Sequence, residues 1–99
     1  MTQSTIQRLQ DWYLSQCNED WEHSFGIEIG TLDNPGFTLT VDLDETELLS
    51  HSFQSIQIQR ESEHDWVHCV VEGRKFKGSC GPQNLNELLI IFLNWAEPF

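Results

Sequence analysis

Four histidines, three cysteines and sixteen carboxylates are the groups in this 99-residue chain that could do chemistry. Glu22 and His23 are adjacent, and Asp33 lies across a predicted hairpin, so the three offer a carboxylate and an imidazole for general acid–base work. No nucleophile or oxyanion donor accompanies them to complete a mechanism. Cys80 stands beside Gly81 ahead of a predicted helix, where a thiol pKa can fall. Pro82 and Gln83 separate it from the first helical turn, and an ordinary turn cysteine is the competing reading. The same loop could hold an anion on free helix amides, but it lacks the Lys-Ser/Thr of a phosphate-binding loop. His64 and His68 have i,i+4 spacing, which gathers two imidazoles on one metal only along a helix; here the pair straddles a turn and a strand. Cys17, Cys69 and Cys80 are odd in number and irregular in spacing, which suggests reduced thiols and neither a disulfide framework nor a zinc pattern. No catalytic, metal or cofactor site is assigned.

Charge is the strongest compositional signal. Sixteen Asp and Glu against five Lys and Arg give a net charge of −11. No Lys or Arg occurs between Arg8 and Arg60, an interval holding ten acids, whereas Arg74, Lys75 and Lys77 cluster. Such a field repels nucleic acid and membrane surfaces and speeds encounter with a basic partner, typically by ~10 to 10³-fold at low salt. Solubility alone is the plainer explanation of the same excess. Basic patches interleaved with aromatics are absent, which argues against nucleic-acid binding. The longest apolar run, 88–93, is far short of a membrane span, and the first ten residues lack the apolar core of a signal peptide. A cytoplasmic address is the expectation.

The elements that must position these groups centre on residues 20–37. Phe25, Ile27 and Ile29 alternate with polar residues and glycines, the period of a half-buried strand. Asp33-Asn34-Pro35-Gly36 reads as a tight turn, with Pro35 presetting φ and Gly36 accepting a positive φ. Phe37, Leu39, Val41 and Leu43 then alternate in a partner strand over 37–44. Gly26 and Gly30 read as marks of a bulge, or of a site closely approached by another backbone or a ligand. Ser4 with Gln7 forms a capping box for a first helix ending near residues 17–18, with Ile6, Leu9 and Tyr13 on its inner face and Trp12 at the edge. Trp21 either staples this helix to the sheet, the favoured reading, or stands exposed as an interface anchor.

A helical turn capped by Asp44, with Glu47 three residues on, is expected within 44–52, then strands over 53–61 and 66–72. Residues 75–78 read as a short edge strand whose lysines discourage pairing, and residues 78–82 as a break in the sheet. Asn84 with Glu87 reads as a second capping box, opening a helix to about residue 95 with a broad apolar stripe. The fold expected is therefore α+β: one domain over 1–99, about five antiparallel strands in meander order, and an N-terminal and a C-terminal helix packed on one face.

LQDWYLSQCNEDWEHSFGIEIGTLDNPGF, with Asp65-Trp66, Phe76-Lys77-Gly78, Gly81-Pro82-Gln83-Asn84-Leu85 and Ile91-Phe92-Leu93-Asn94-Trp95, resembles the immunity protein 53 family over nearly the whole chain. The motif positions are Trp12, Trp21, Glu22, His23, Asn34, Pro35, Gly36 and Phe37, the last commonly tryptophan in the family. Cys80 is not part of the pattern. The resemblance implies an α+β immunity protein encoded beside a polymorphic toxin that it neutralises in the producing bacterial cell.

Resemblance and charge together lead to the expectation of a non-enzymatic inhibitor of a cognate toxin that is basic and of the nuclease type. Its expected contact residues are Trp21, Glu22, Glu28, Asp42, Asp44, Glu45 and Glu47, with Thr38, Thr40, Gln57 and Gln59 on the same uncovered sheet face. A homo-oligomer is not indicated. Two rivals stand: a small cytoplasmic enzyme using Glu22, His23 and Asp33 or Cys80, and an adaptor pairing through its edge strand.

Overall fold

The computed structural model describes residues 3–97. The elements are α1 (Thr5–Gln16), α2 (Trp21–Ser24), β1 (Ile27–Leu32), β2 (Gly36–Asp42), one 3-10 turn (Glu47–Ser50), β3 (Ile56–Gln59), β4 (Trp66–Glu72), β5 (Lys75–Cys80) and α3 (Leu85–Ala96). The fold is α+β, with helices at both ends and a five-stranded antiparallel sheet.

The strand order is β1-β2-β5-β4-β3, not the expected meander. β5 is the central strand rather than an edge, and it runs through Gly78, Ser79 and Cys80 instead of breaking there. The reason lies in residues 43–55, which are too long for a hairpin and carry Leu43, Leu48 and Phe53. Leu43 and Leu48 are buried, and Phe53 packs its ring 5.3 Å from Phe76 and 5.2 Å from Trp95. Burying those side chains takes the connection across to the far edge of the sheet, and the next two hairpins return β5 to the vacant side of β2. The turn between β4 and β5 has positive φ at both Gly73 and Arg74, the two-residue geometry whose twist suits a hairpin.

Register places Ile27, Val41, Phe76 and Val71 in one rung of the inner face and Ile29, Leu39, Gly78, Cys69 and Ile56 in the next. A third rung joins Phe37, Cys80, Val67 and Ile58. α3 lies on this face, burying Leu88, Leu89, Phe92, Leu93 and Ala96, each large side chain contributing roughly 1.5–3 kcal/mol before entropy. It settles closely over β5 because Gly78 has no Cβ; one added there would collide with Leu88 Cδ1. α1 packs beside α3 through Trp12, edge-on to Phe92 at 5.0 Å.

Several local expectations are corrected. β1 and β2 pair in continuous register from Ile27↔Val41 to Leu32↔Gly36, so neither Gly26 nor Gly30 makes a bulge within the ladder. Gly36 does not have a positive φ; it is buried in β2, where a Cβ would meet the Cys80 carbonyl. The Ser4 hydroxyl accepts the Gln7 amide at 3.0 Å as expected, but the Gln7 side chain turns to Asp11. The 3-10 turn is capped by Thr46, not Asp44. Asn84 makes no side-chain cap and directs its amide sideways to Asp65 and Glu87. α1 is also rotated from its expected setting: Trp12 is its buried residue, while Ile6 is 56% and Tyr13 39% exposed. A planar indole fits between Trp21 and Phe92 edge-on, and that contact sets the helix face.

Candidate functional site

The outer sheet face and the loops at one end of it hold most of the sequence-predicted contact residues. Glu28, Thr40, Lys77 and Val70 form one outer rung, and Gly30, Thr38, Ser79, His68 and Gln57 the next. A groove of about 600 Å³ runs beside β4, with Gln57, His68, Lys77 and Ser79 in its lining. This face is polar and mixed in charge rather than acidic throughout.

The charge clusters seen in the sequence meet at the end of the sheet where β2 leaves and β4 turns into β5. Asp42 and Lys75 are register partners and form an ion pair, and Arg74 Nη1 donates to Asp44 Oδ1 at 2.9 Å. Asp42 also accepts the Gly26 amide through Oδ2 at 2.9 Å. The Asp42 partnership raises the Lys75 pKa. Asp42 and Asp44 are therefore bound into the fold, and charge reversal there would change stability as well as encounter. Elsewhere Arg8 pairs with Glu97, Lys77 with Glu72, and Arg60 with Asp65 and Glu87.

All five Lys and Arg are thus engaged with six carboxylates, which leaves ten of the sixteen acids without a Lys or Arg partner. Seven of the ten fall between Glu19 and Glu47: Glu19, Asp20, Glu22, Glu28, Asp33, Glu45 and Glu47. Glu28, Glu45 and Glu47 are exposed.

Trp21 and Glu22 have structural work that sequence reasoning left open. Trp21 is 1% exposed, lies edge-on to Trp12 at 6.0 Å and donates its indole N–H to the Asp44 carbonyl at 2.9 Å. It is the staple and has no face left for a partner, which corrects its place among the contact residues. Glu22 folds back on the preceding turn, its two oxygens accepting the Asn18 and Glu19 amides at 2.9 and 2.8 Å. That clasp holds Glu19 at φ 72°, and backbone hydrogen bonds, its own amide's first, lower the Glu22 pKa.

The groups considered for catalysis do not converge. Glu22 and His23 lie before β1 and Asp33 after it, so the six-residue strand holds them apart by roughly 17 Å. Cys80 is completely buried and burial raises its pKa; the Cys69 thiol is pushed up to about 12 for the same reason. Both are neutral thiols near pH 7 and poor nucleophiles. Among the described residues, no group of three or more His, Cys, Asp and Glu is placed to hold a metal ion. No helix among them is long and apolar enough to cross a membrane.

A second polar cluster fixes the start of α3. Arg60 donates through Nη1 to Asp65 at 2.9 Å and through Nη2 to Glu87 at 2.6 Å, while Asn84 Nδ2 donates to Asp65 at 2.9 Å. Asn84 first and Arg60 second lower the Asp65 pKa, and Arg60 first lowers that of Glu87. The cluster ties the β3–β4 turn to the helix. The sequence paired only Asn84 with Glu87, as a capping box; the rest of the cluster was hidden because the turn and the helix start are far apart along the chain.

No match is found among the curated proteins or the solved structures. The model of immunity protein 53 matches residues 6–97, nearly the entire chain, and the protein belongs to that family.

Proposed function

We propose that this chain is a non-enzymatic immunity protein that binds and neutralises the toxin encoded beside it, in the cytoplasm of the producing cell. Family membership supports a protein partner. The observation that carries the finer reading is the surplus of ten acids with no Lys or Arg partner, seven of them between Glu19 and Glu47. A basic toxin is steered to such a surface, and a nuclease is the class that fits, since its cationic nucleic-acid groove is what an acidic inhibitor can cover. The proposed contact residues are Glu28, Glu45 and Glu47, with Asp42 and Asp44 forming the rim they share.

The test is a titration of the purified product of the adjacent toxin gene against this protein at several salt concentrations. Tight binding that weakens steeply with salt is expected. In the triple variant Glu28→Lys, Glu45→Lys, Glu47→Lys, the association rate should fall by about tenfold or more and lose most of its salt dependence. An association rate equal to wild type would remove these residues from the interface, and absence of binding by the wild type would overturn the immunity reading.

A further inference from the structure

β1 is a terminal strand of the sheet, and among the described residues no strand pairs with its outer edge. The Asp42 amide donates to the Gly26 carbonyl at 3.0 Å, which makes Gly26 and Asp42 a hydrogen-bonded pair of the antiparallel ladder. Alternation then turns the N–H and C=O of Glu28, Gly30 and Leu32 toward β2 and those of Ile27, Ile29 and Thr31 outward. Edge strands are ordinarily blunted by lysine, proline, a bulge or a covering element. β1 has no lysine, proline or bulge, and only one charged side chain, Glu28.

The inner side of this edge is only partly covered. Ile29 is 45% exposed although its rung continues into the core. Alongside lies a groove of about 370 Å³ between α1 and β1, lined by Leu9, Gln10, Tyr13, Gly26 and Ile27. The rotation of α1 leaves Ile6 and Tyr13 exposed on the helix that forms its other wall. Acids flank the strand at both ends: Glu19, Asp20 and Glu22 before it and Asp33 after it, all among those without a Lys or Arg partner.

We propose that β1 is a docking edge for an extended segment of the toxin, which adds as a sixth strand, seats apolar side chains against Ile29 and the α1 groove, and carries basic residues at its ends. Main-chain hydrogen bonds to Ile27, Ile29 and Thr31 supply registration, and the flanking acids select the partner. A second copy of this chain is the wrong occupant on charge, since each copy carries −11. The proposal rests on the immunity reading and adds to it the mode of recognition.

The experiment measures binding of the purified adjacent-gene toxin to wild type and to Ile29→Pro, together with amide hydrogen exchange of the wild-type protein free and bound. Proline at this edge position removes the outward donor and the exposed Ile29 side chain while leaving the ladder to β2 in place, so Ile29→Pro should keep the wild-type circular dichroism and weaken binding at least tenfold. Exchange at Ile27, Ile29 and Thr31 should slow at least tenfold in the complex; this readout stands whether or not the variant folds. A complex in which those three amides are unprotected overturns strand addition while leaving the immunity reading intact. A wild type that binds no toxin overturns both. Dimerisation of the free protein with the same amides protected would assign the edge to a second copy and overturn the proposal.

Discussion

Gly36 and Gly81 are positions where one methyl group would strike backbone. A Cβ at Gly36 would collide with the Cys80 carbonyl, and one at Gly81 with that of His64, whereas one at Gly26 would meet nothing. Gly36→Ala and Gly81→Ala should each lower stability by about 1–3 kcal/mol. Gly26→Ala should be neutral or stabilising by less than ~1 kcal/mol, through the unfolded state. Chemical denaturation of the three variants checks the contrast. Glu22 is a second residue-scale case. Its folded pKa is lowered by the amides it accepts, so its contribution is present above the ordinary carboxylate range and lost as pH falls through the folded value. Glu22→Gln should therefore melt below wild type at pH 7, and the gap should close on acidification. A gap unchanged from pH 7 to pH 3 would mean that the carboxylate charge is not what holds the turn.

At the scale of elements, the contact between α3 and β5 decides how closely helix and sheet approach. Gly78 leaves room for Leu88, which is completely buried. Gly78→Ala alone should cost about 1–3 kcal/mol by overpacking, and Leu88→Ala alone about 2–5 kcal/mol by leaving a cavity. Together they should cost less than their sum by at least ~1 kcal/mol, because the new methyl partly fills the space that Leu88 vacates. Additive losses would show that the helix shifts instead of the side chain. This contact also explains why residues 75–78 mislead a linear reading. Two lysines and a glycine look like an edge, yet Lys75 and Lys77 point to the outer face toward Asp42 and Glu72, while Phe76 and Gly78 face the core. Alternation was legible there; neighbours were not.

For the molecule as a whole, ten acids without a Lys or Arg partner mean that the folded state repels itself. Raising ionic strength from ~0.01 M to ~1 M shortens the screening length from about 30 Å to about 3 Å. The melting temperature should rise, by about 4–8 °C for each kcal/mol of repulsion removed. A fall would show that the ion pairs outweigh the surplus.

The sequence by itself determined most of the elements, though not the short α2 or the full extent of β5, together with the inner face of each strand and the family. Alternation of Leu39 with Val41, of Val67 with Cys69 and of the α3 stripe are local periodicities, and periodicity is a property of neighbouring residues. It also carried the charge surplus and the motif positions Trp12, Trp21, Glu22, His23 and Gly36. Strand order, the burial of Trp21 and the pairing of Asp42 with Lys75 were decided only in three dimensions. Each depends on which segment arrives alongside: residues 43–55 crossing the sheet, Trp12 of α1 and the Asp44 carbonyl closing on Trp21, Lys75 of β5 reaching Asp42. The role of Gly36 was hidden for the same reason. Its need for glycine comes not from its own φ but from the end of β5, forty-odd residues further along the chain and a hydrogen-bond ladder away.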